Sequence, residues 1–321
     1  MSLDYTIHYK AQNIYKQPVR SAYWQFLIIP ENNDSQTLEK AVFTNSLGVP
    51  VQQSVNGYGF ETFRVAPKTT FKTINFEAKF RVFKEIFNPF EQLNYRDSSI
   101  DRELLRSLQF KVTHERFLKS TPTTELPLVR ALPFKFDEES SLFDNLKTLN
   151  AWIFNTFKFK SQVTQINTNL SEILEHKHGV CQDFTHLFCA MARKNGIPTR
   201  YVSGYLHQGI GYLGDSQMHA WAESFVPGTG WVGFDPTNNL LAAENHIKVA
   251  HGKDYADCPP IKGVVYTTGG NTTTYKVLVT SAKDTMSQGQ NSDGSMQQQM
   301  GTMTQHMEFQ DLFPKNGPKD Q

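Results

Sequence analysis

The chain has 321 residues, 39% of them hydrophobic and 20% charged, which is the composition of a folded globular protein rather than a disordered or fibrous one. Its length suggests roughly two domains. Its 32 Lys and Arg residues nearly balance 31 Asp and Glu residues, which argues against a binder of nucleic acid or of anionic membranes, since such binders need clustered basic charge.

The first segment, residues 1–95, carries the alternation of apolar and polar residues that is typical of β-strands. In residues 74–82 (INFEAKFRV) every second side chain is apolar, as expected for a strand with one buried and one wet face. Residues 5–9 and 58–65 follow this pattern less strictly. Short strands separated by turn residues predict an N-terminal antiparallel, β-sandwich-like domain. The segment shows no apolar core of a signal peptide, and no apolar run approaches the roughly 18 residues that span a membrane.

Residues 96–141 are predicted to be a connecting segment. A short helix is expected at 101–109, and Pro122, Pro127 and Pro133 then break the chain into extended linker.

Residues 142–281 are predicted to form a second domain that starts with helices. Apolar residues recur at helical spacing over 142–157, which predicts an amphipathic helix. A second helix is expected at 169–176. A third begins at Cys181 and ends before Gly196, which suits the left-handed position that follows many helices.

Strands follow these helices in the second domain. They are predicted at residues 200–205, 218–225, 231–235 and 275–279. The last of them is expected to complete the sheet formed by the other three. Helices followed by a run of strands predict an α+β fold with the helices packed on an antiparallel sheet. The tail at 282–321 lacks Tyr, Trp, Val and Ile and is rich in Gln, Met and Ser, so it is predicted to be flexible.

The chain has three cysteines, Cys181, Cys189 and Cys258. This low, odd number does not suit a disulfide framework, so we predict a reducing, cytoplasmic compartment. Cys181 stands at the start of a predicted helix, where amide groups and the helix dipole favour an anion. A thiol in such a position can have a pKa lowered from about 8.5 into the range of ~3.5–7.5. Cys181 is therefore a candidate nucleophile.

Two further residues are candidates for the base and for the acid that orients it, which together with Cys181 would form a catalytic triad. His219 lies on one predicted strand, and Asp235 ends the next, where its carboxylate can hold the imidazole through Nδ1–H. Simpler interpretations are a buried cysteine, a packed histidine and a turn-forming aspartate.

A zinc site is a further alternative for this part of the chain. It would use Cys181 with His176, His178 and His186, but their spacing matches no common zinc pattern. We therefore predict neither a metal nor a cofactor.

Three stretches resemble the transglutaminase-like superfamily, of the bacterial type that carries an N-terminal β-domain and shares the papain-like fold. They are HGVCQDFTHLFCAMARKNGIPTRYVSGYL (178–206), MHAWAESFVPGTGWVGFDPTNN (218–239) and HIKVAHGKDYADCPPIKGV (246–264). The resemblance implies that residues 142–281 are a catalytic domain in which Cys181, His219 and Asp235 are the catalytic residues.

The implied reaction is attack of the thiol on an amide of a protein or peptide substrate, which gives a thioester. Water would resolve the thioester in a protease or amidase, and an amine would resolve it in an acyltransferase. The sequence does not separate these outcomes, and it predicts neither the substrate nor the oligomeric state. A non-catalytic binding or scaffold protein that retains the triad is the alternative from another functional class.

Overall fold

The computed structural model describes residues 2–86, 98–128, 133–161, 168–207, 212–214, 217–282 and 304–305. It confirms a mixed α+β fold with antiparallel sheets and a β-rich N-terminal region. The predicted flexible tail lies, apart from three residues, outside the described part of the chain. Within the described ranges, no helix has both the length and the apolar character that crossing a membrane requires.

The bounds of the secondary-structure elements are as follows. The strands are β1 (Ser2–Val19), β2 (Ser21–Phe26), β3 (Gln36–Asn45), β4 (Val51–Val55), β5 (Glu61–Val65), β6 (Phe71–Glu85), β7 (Lys158–Phe159), β8 (His178–Gly179), β9 (Thr199–Leu206), β10 (Met218–Val226), β11 (Gly230–Asp235), β12 (Leu240–Leu241), β13 (His246–Gly252), β14 (Ile261–Tyr266), β15 (Asn271–Ser281) and β16 (Thr304–Gln305). The helices are α1 (Ser98–Arg106), α2 (Leu108–Thr113), α3 (Glu115–Leu118), α4 (Leu142–Thr156), α5 (Leu170–His176) and α6 (Cys181–Lys194).

The N-terminal strands form two antiparallel sheets that pack face to face, as predicted, and three later strands complete them. One sheet has the order β16-β15-β1-β6-β3 and the other β14-β2-β5-β4. The alternation of apolar and polar residues at 74–82 belongs to β6. Its apolar side chains in that stretch are buried, and its polar ones mostly face outward. The ring of Phe26 on β2 lies 4.6 Å from that of Phe76 on β6 and 4.9 Å from that of Phe43 on β3. These contacts between aromatic side chains form the core of the sandwich.

The prediction that residues 275–279 complete the sheet of the second domain is wrong. They lie in β15, which pairs with β1 in the N-terminal sandwich, with Val277 opposite Tyr9. Val277 and Val279 are buried there. Alternation shows which side chains of a strand face inward, but it does not show which sheet the strand joins. The division at 1–95, 96–141, 142–281 and 282–321 stays a prediction, although β14 and β15 both complete N-terminal sheets.

The second unit consists of α4, α5 and α6 packed on an antiparallel sheet of order β12-β11-β10-β9-β13. The predicted helices at 142–157 and 169–176 correspond to α4 and α5. Helix α6 is buried in the centre, and the ring of its Phe188 stacks 5.3 Å from Phe234 on β11. The helix ends as predicted at Gly196, whose φ of 76° is left-handed and whose N–H donates to the carbonyl of Arg193.

Among its described residues, the connecting segment contains helices α1 to α3 and no strand. Arg193, buried in the last turn of α6, donates to the carbonyl oxygens of Lys119, Thr199 and Lys253. The connecting segment is thereby attached to the central helix and to the loop that follows β13.

The first turn of α6 is set by a glycine and an aspartate. The Val180 N–H, at the N-cap, donates to Oδ2 of Asp183 at 2.8 Å. Gly179 approaches so closely that a Cβ there would lie 2.9 Å from both Cβ and Oδ2 of Asp183. The parallel pair of β7 and β8 holds Gly179 opposite Phe159. Cys181 is therefore placed on a turn whose backbone has little freedom.

A largely buried ionic cluster lies where the second sheet meets the N-terminal sandwich. Glu223 on β10 accepts from Arg200 at 2.6 Å and from Lys248 on β13 at 2.8 Å. The backbone N–H of Lys248 donates to Oε1 of Gln36, and Nε2 of Gln36 donates back to the Lys248 carbonyl. The sheet that carries His219 and Asp235 is thus attached through β13 to the N-terminal sandwich.

We expect Glu223→Gln to lower the free energy of unfolding by about 3–5 kcal/mol, because it leaves two largely buried cations without their carboxylate. Burial raises the pKa of Glu223, but Lys248 and Arg200 lower it more, to about 2. The cluster therefore contributes stability above the ordinary glutamate pKa of about 4.3, and this contribution is lost as the pH falls toward 2. Urea unfolding at pH 7 and pH 3 measures both effects.

The matched control for this prediction is Glu115→Gln. Glu115 forms a solvent-exposed pair with Lys119, so its loss should change the stability far less than the loss of Glu223 does. Equal losses of unfolding free energy in the two variants would contradict the predicted contribution of the Glu223 cluster to stability.

We also expect Gly179→Ala to destabilise the protein by about 1–3 kcal/mol, because the new methyl group must displace Asp183 and its hydrogen bond to Val180. Gly57→Ala is the control, since a Cβ at Gly57 meets nothing within 4 Å. Urea denaturation measures the stability of both variants. A Gly179→Ala variant as stable as Gly57→Ala would contradict the close contact.

Candidate active site

Cys181 begins α6 and is partly exposed, unlike the other two cysteines, which are buried. Burial raises the pKa of Cys189 to about 11 and raises the pKa of Cys258 further, so both thiols are held in their protonated form. Cys181 is therefore the one of the three thiols that has access to solvent at a helix N-terminus, where the helix dipole favours a negative charge.

His219 and Asp235 are brought together as the sequence predicts. His219 is the second residue of β10 and lies opposite Gly204 on β9, and Asp235 is the last residue of β11. The His219 Nε2–H donates to Oδ2 of Asp235 at 2.8 Å. Both side chains are completely buried. A buried carboxylate beside a buried imidazole favours the imidazolium form.

The ring nitrogen that faces the aspartate differs from the prediction. We expected Nδ1 to bond Asp235, whereas the structure uses Nε2. Nδ1 is then the nitrogen left for the sulfur of Cys181. No described residue gives Nδ1 a hydrogen bond of normal length and angle, but the Cys181 thiol is close enough to raise the pKa of His219 through hydrogen bonding and charge. Such contacts are often long or poorly aligned before substrate binds.

The carboxylate of Asp235 accepts five hydrogen bonds. Oδ2 accepts from Nε2 of His219, from Nδ2 of Asn238 at 2.9 Å and from Nε2 of His246 at 3.1 Å. Oδ1 accepts from the backbone N–H groups of Thr237 and Asn238 at 3.0 and 3.3 Å. These donors occupy the acceptor sites of both oxygens and hold the carboxylate in one orientation.

The charges of this group are set by burial and by mutual attraction. Burial alone would lower the pKa of His219, but the charge and hydrogen bond of Asp235, with a smaller effect of Cys181, raise it to about 10. Burial alone would raise the pKa of Asp235, but His219 and His246 hold it far below its usual range. At neutral pH the pair is therefore an aspartate and an imidazolium.

A short loop covers the histidine ring. Gly214 has a φ of 87°, and a Cβ there would lie 2.7 Å from Nδ1 of His219. The neighbouring Leu213 N–H donates to Oδ1 of Asn238 at 2.8 Å. Because Asn238 also bonds Asp235, this residue joins the loop to the carboxylate. A side chain larger than hydrogen at Gly214 would collide with the ring.

The alternative zinc residues are not assembled into one site. His186 is buried and accepts from the backbone N–H of Tyr255 at 3.1 Å, and burial lowers its pKa to about 4. A different trio, His219, Asp235 and His246, offers donor atoms within 4.8 Å of one another. In that trio, Nε2 of His219 and Nε2 of His246 lie 2.8 and 3.1 Å from Oδ2 of Asp235, which are the separations of direct hydrogen bonds.

Sequence reasoning missed Asn238 and His246. Asn238 lies three residues beyond Asp235 in the stretch that carries the resemblance, and His246 opens the third such stretch. Their positions in these stretches were signals, but their pairing with Asp235 depends on the packing of β13 beside β9.

Comparisons with known proteins agree with this architecture. Residues 130–236 match the family model described as the transglutaminase-like superfamily. An uncharacterised protein of Mycobacterium tuberculosis strain H37Rv, Rv2569c, is 39% identical over 139 residues, which cover 40% of this chain and 44% of that protein. YebA of Bacillus subtilis, also uncharacterised, is 26% identical over 158 residues, which cover 42% of this chain and 21% of YebA. The chain thus aligns with less than half the length of these relatives.

The fold is shared over nearly the whole chain with a solved structure. The crystal structure of a candidate cysteine protease from Cytophaga hutchinsonii matches with a TM-score of 0.62 at 18% identity. The match covers 92% of this chain and 93% of that chain, so it includes the N-terminal sandwich as well as the second unit. The family match to the helices and strands around Cys181, His219 and Asp235, together with bacterial relatives, shows that this chain contains a domain of the transglutaminase-like superfamily, of the bacterial type.

Proposed function

We propose that the protein is a thiol-dependent enzyme that processes amides of peptides or glutamine-type side chains through a thioester on Cys181. The observation that carries this proposal is the buried hydrogen bond between His219 and Asp235 beside a partly exposed cysteine at the start of α6. A nucleophile, a base and a group that orients the base are the parts that covalent acyl transfer requires.

In the resting enzyme, Nδ1 of His219 holds the proton given up by the Cys181 thiol, so the site begins the cycle as a thiolate and an imidazolium. Asp235 stabilises the imidazolium through Nε2 and does not itself take the proton. An imidazolium and a helix N-terminus beside the sulfur both favour the thiolate, which is the reactive form. The raised pKa of His219 supports this assignment of charge.

The thiolate then attacks the carbonyl carbon of the amide, and a C–S bond forms while the carbonyl oxygen gains negative charge. The N–H groups of the first turn of α6, including that of Cys181, are the donors placed to stabilise this oxyanion. The C–N bond breaks as His219 returns its proton to the leaving amine, and the thioester remains.

A second nucleophile completes the cycle. Water or an amine loses a proton to His219 and attacks the thioester, and the C–S bond breaks to restore the thiolate and imidazolium. Water gives hydrolysis, as in a protease or amidase, and an amine gives acyl transfer. This route uses only Cys181, His219 and Asp235, so the proposal includes no cofactor.

We expect the full-length protein to show the alkylation profile of a thiolate–imidazolium pair. The rate at which iodoacetamide labels Cys181 should fall only a few-fold between pH 8 and pH 6, whereas an ordinary thiol of pKa about 8.5 would lose a factor of roughly 80. Peptide mapping by mass spectrometry measures the rate at each cysteine. Labelling of the buried Cys189 should be at least about 10-fold slower.

Three variants make this test specific. His219→Gln should give Cys181 the steep profile of an ordinary thiol, and Cys189→Ala should leave the labelling of Cys181 unchanged. Cys181→Ala should abolish any amide-processing activity and any acyl adduct trapped from lysate. An ordinary-thiol profile in the wild type, or activity that survives Cys181→Ala, would refute the proposal and favour the binding or scaffold role.

Product analysis separates the two resolutions of the thioester. An amide substrate found through the trapped acyl group is incubated with the enzyme in the presence and absence of a primary amine. Because both routes pass through the same Cys181 thioester, we expect Cys181→Ala to remove every product. Incorporation of the amine identifies acyl transfer, whereas an unchanged yield of acid identifies hydrolysis.

A further inference from the structure

Asp235 accepts a hydrogen bond from a second histidine, which lies on the edge strand at the other end of the sheet. His246 is the first residue of β13, which pairs with β9, whereas Asp235 ends β11. The two strands are separated by β9 and β10, yet Nε2 of His246 donates to Oδ2 of Asp235 at 3.1 Å. The same oxygen accepts from His219.

Packing holds His246 in this place. Its side chain is almost completely buried, and its ring packs edge-on against Trp221, with the centroids 5.1 Å apart. Trp221 has room because β9 carries Gly204 there, where a Cβ would lie 2.5 Å from the indole ring. His246 is therefore oriented by an aromatic wall as well as by its hydrogen bond.

The charge state of His246 suits a donor that adds no second cation. The ionisable groups that act on it are Asp235 on β11, His219 on β10 and Lys84 on β6. Burial lowers the pKa of His246, Asp235 opposes this effect, and His219 and Lys84 reinforce it, so the net shift is downward. A neutral ring with its hydrogen on Nε2 donates to the carboxylate and leaves the positive charge on His219.

The strand that carries His246 is attached to the N-terminal sandwich. The hydroxyl of Tyr5 on β1 donates to Oδ1 of the adjacent Asn245 at 3.4 Å. Two residues beyond His246, the backbone of Lys248 is held by both ends of the Gln36 amide. The sandwich thus supports the strand from which His246 reaches Asp235.

We propose that His246 is a positioning residue of the active site: by its hydrogen bond it fixes the carboxylate of Asp235, and through it the ring of His219, in the orientation that faces Cys181. This inference rests on the proposed function. It gives His246 no contact with substrate and no part in proton transfer. It also gives the N-terminal sandwich an indirect part in the chemistry, since the sandwich holds the strand that carries His246.

The test compares two substitutions that differ in hydrogen bonding. His246→Phe keeps a planar ring but removes the donor, and His246→Gln keeps an N–H donor near the position of Nε2. The control is His8→Gln, the same exchange at a histidine that bonds Glu77 on the outer face of the sandwich. The rate of iodoacetamide labelling of Cys181 at pH 6 is measured on full-length folded protein, below the unfolding temperature of each variant.

We expect His246→Phe to slow this labelling by about 10-fold or more, the size of effect seen when an outer hydrogen bond to a metal-ligating histidine or carboxylate is lost. His246→Gln should restore it to within about 3-fold of the wild type, and His8→Gln should leave it unchanged. A merely structural role would lower the unfolding temperature without changing the labelling rate of the folded molecules. Should His246→Phe fail to fold, His246→Met provides a second side chain without a donor.

The possible failures are distinguishable. If the wild type labels rapidly at pH 6 and the donor-free variant labels equally fast or faster, His246 is not a positioning residue, although the proposed function stands. The same conclusion follows if His246→Gln is as slow as His246→Phe. If the wild type itself shows the profile of an ordinary thiol, the proposed function fails and the role of His246 fails with it.

Discussion

The site depends on one buried ion pair, between the carboxylate of Asp235 and the ring of His219. Each charge would be strongly disfavoured alone in a region without solvent. Together, and with backbone and side-chain donors filling the remaining acceptor sites of Asp235, they are compensated. The architecture around them, a strand end at Asp235 beside a strand that carries His219, brings the two groups to hydrogen-bonding distance. A cysteine at the N-terminus of the central helix then lies beside a group that is positively charged at neutral pH.

The N-terminal sandwich and the second unit form one connected structure rather than two independent modules. β14 and β15 return from the second unit to complete the two N-terminal sheets. The Gln36 amide then joins the sandwich to β13, and Lys248 of β13 also pairs with Glu223 on β10. Because β13 also supplies His246, the strand that the sandwich holds is the one whose first residue bonds Asp235.

Much of this arrangement was predictable from the residues, and the remainder depended on long-range packing. Local periodicity correctly indicated β6, α4 and α6, because a strand or helix buries its own repeating face. The pairing of His219 with Asp235 followed from two adjacent strands. Three features did not follow from the sequence: the sheet to which 275–279 belongs, the ring nitrogen that faces Asp235, and the hydrogen bond from His246 to Asp235. Each depends on elements far apart in sequence or on a side-chain rotation. The roles of Cys181, His219 and Asp235 in catalysis stay predictions.

The geometry bears on where the proposed reaction would choose between water and an amine. The side chains of His219 and Asp235 are completely buried, whereas Cys181 is partly exposed. In the proposed reaction, a second nucleophile would therefore approach the thioester from the open face of Cys181 and give its proton to Nδ1, since Nε2 is bonded to Asp235. The three residues treat water and an amine alike in this respect. Selection between hydrolysis and transfer must then come from the surroundings of the sulfur, through what they admit and what they exclude.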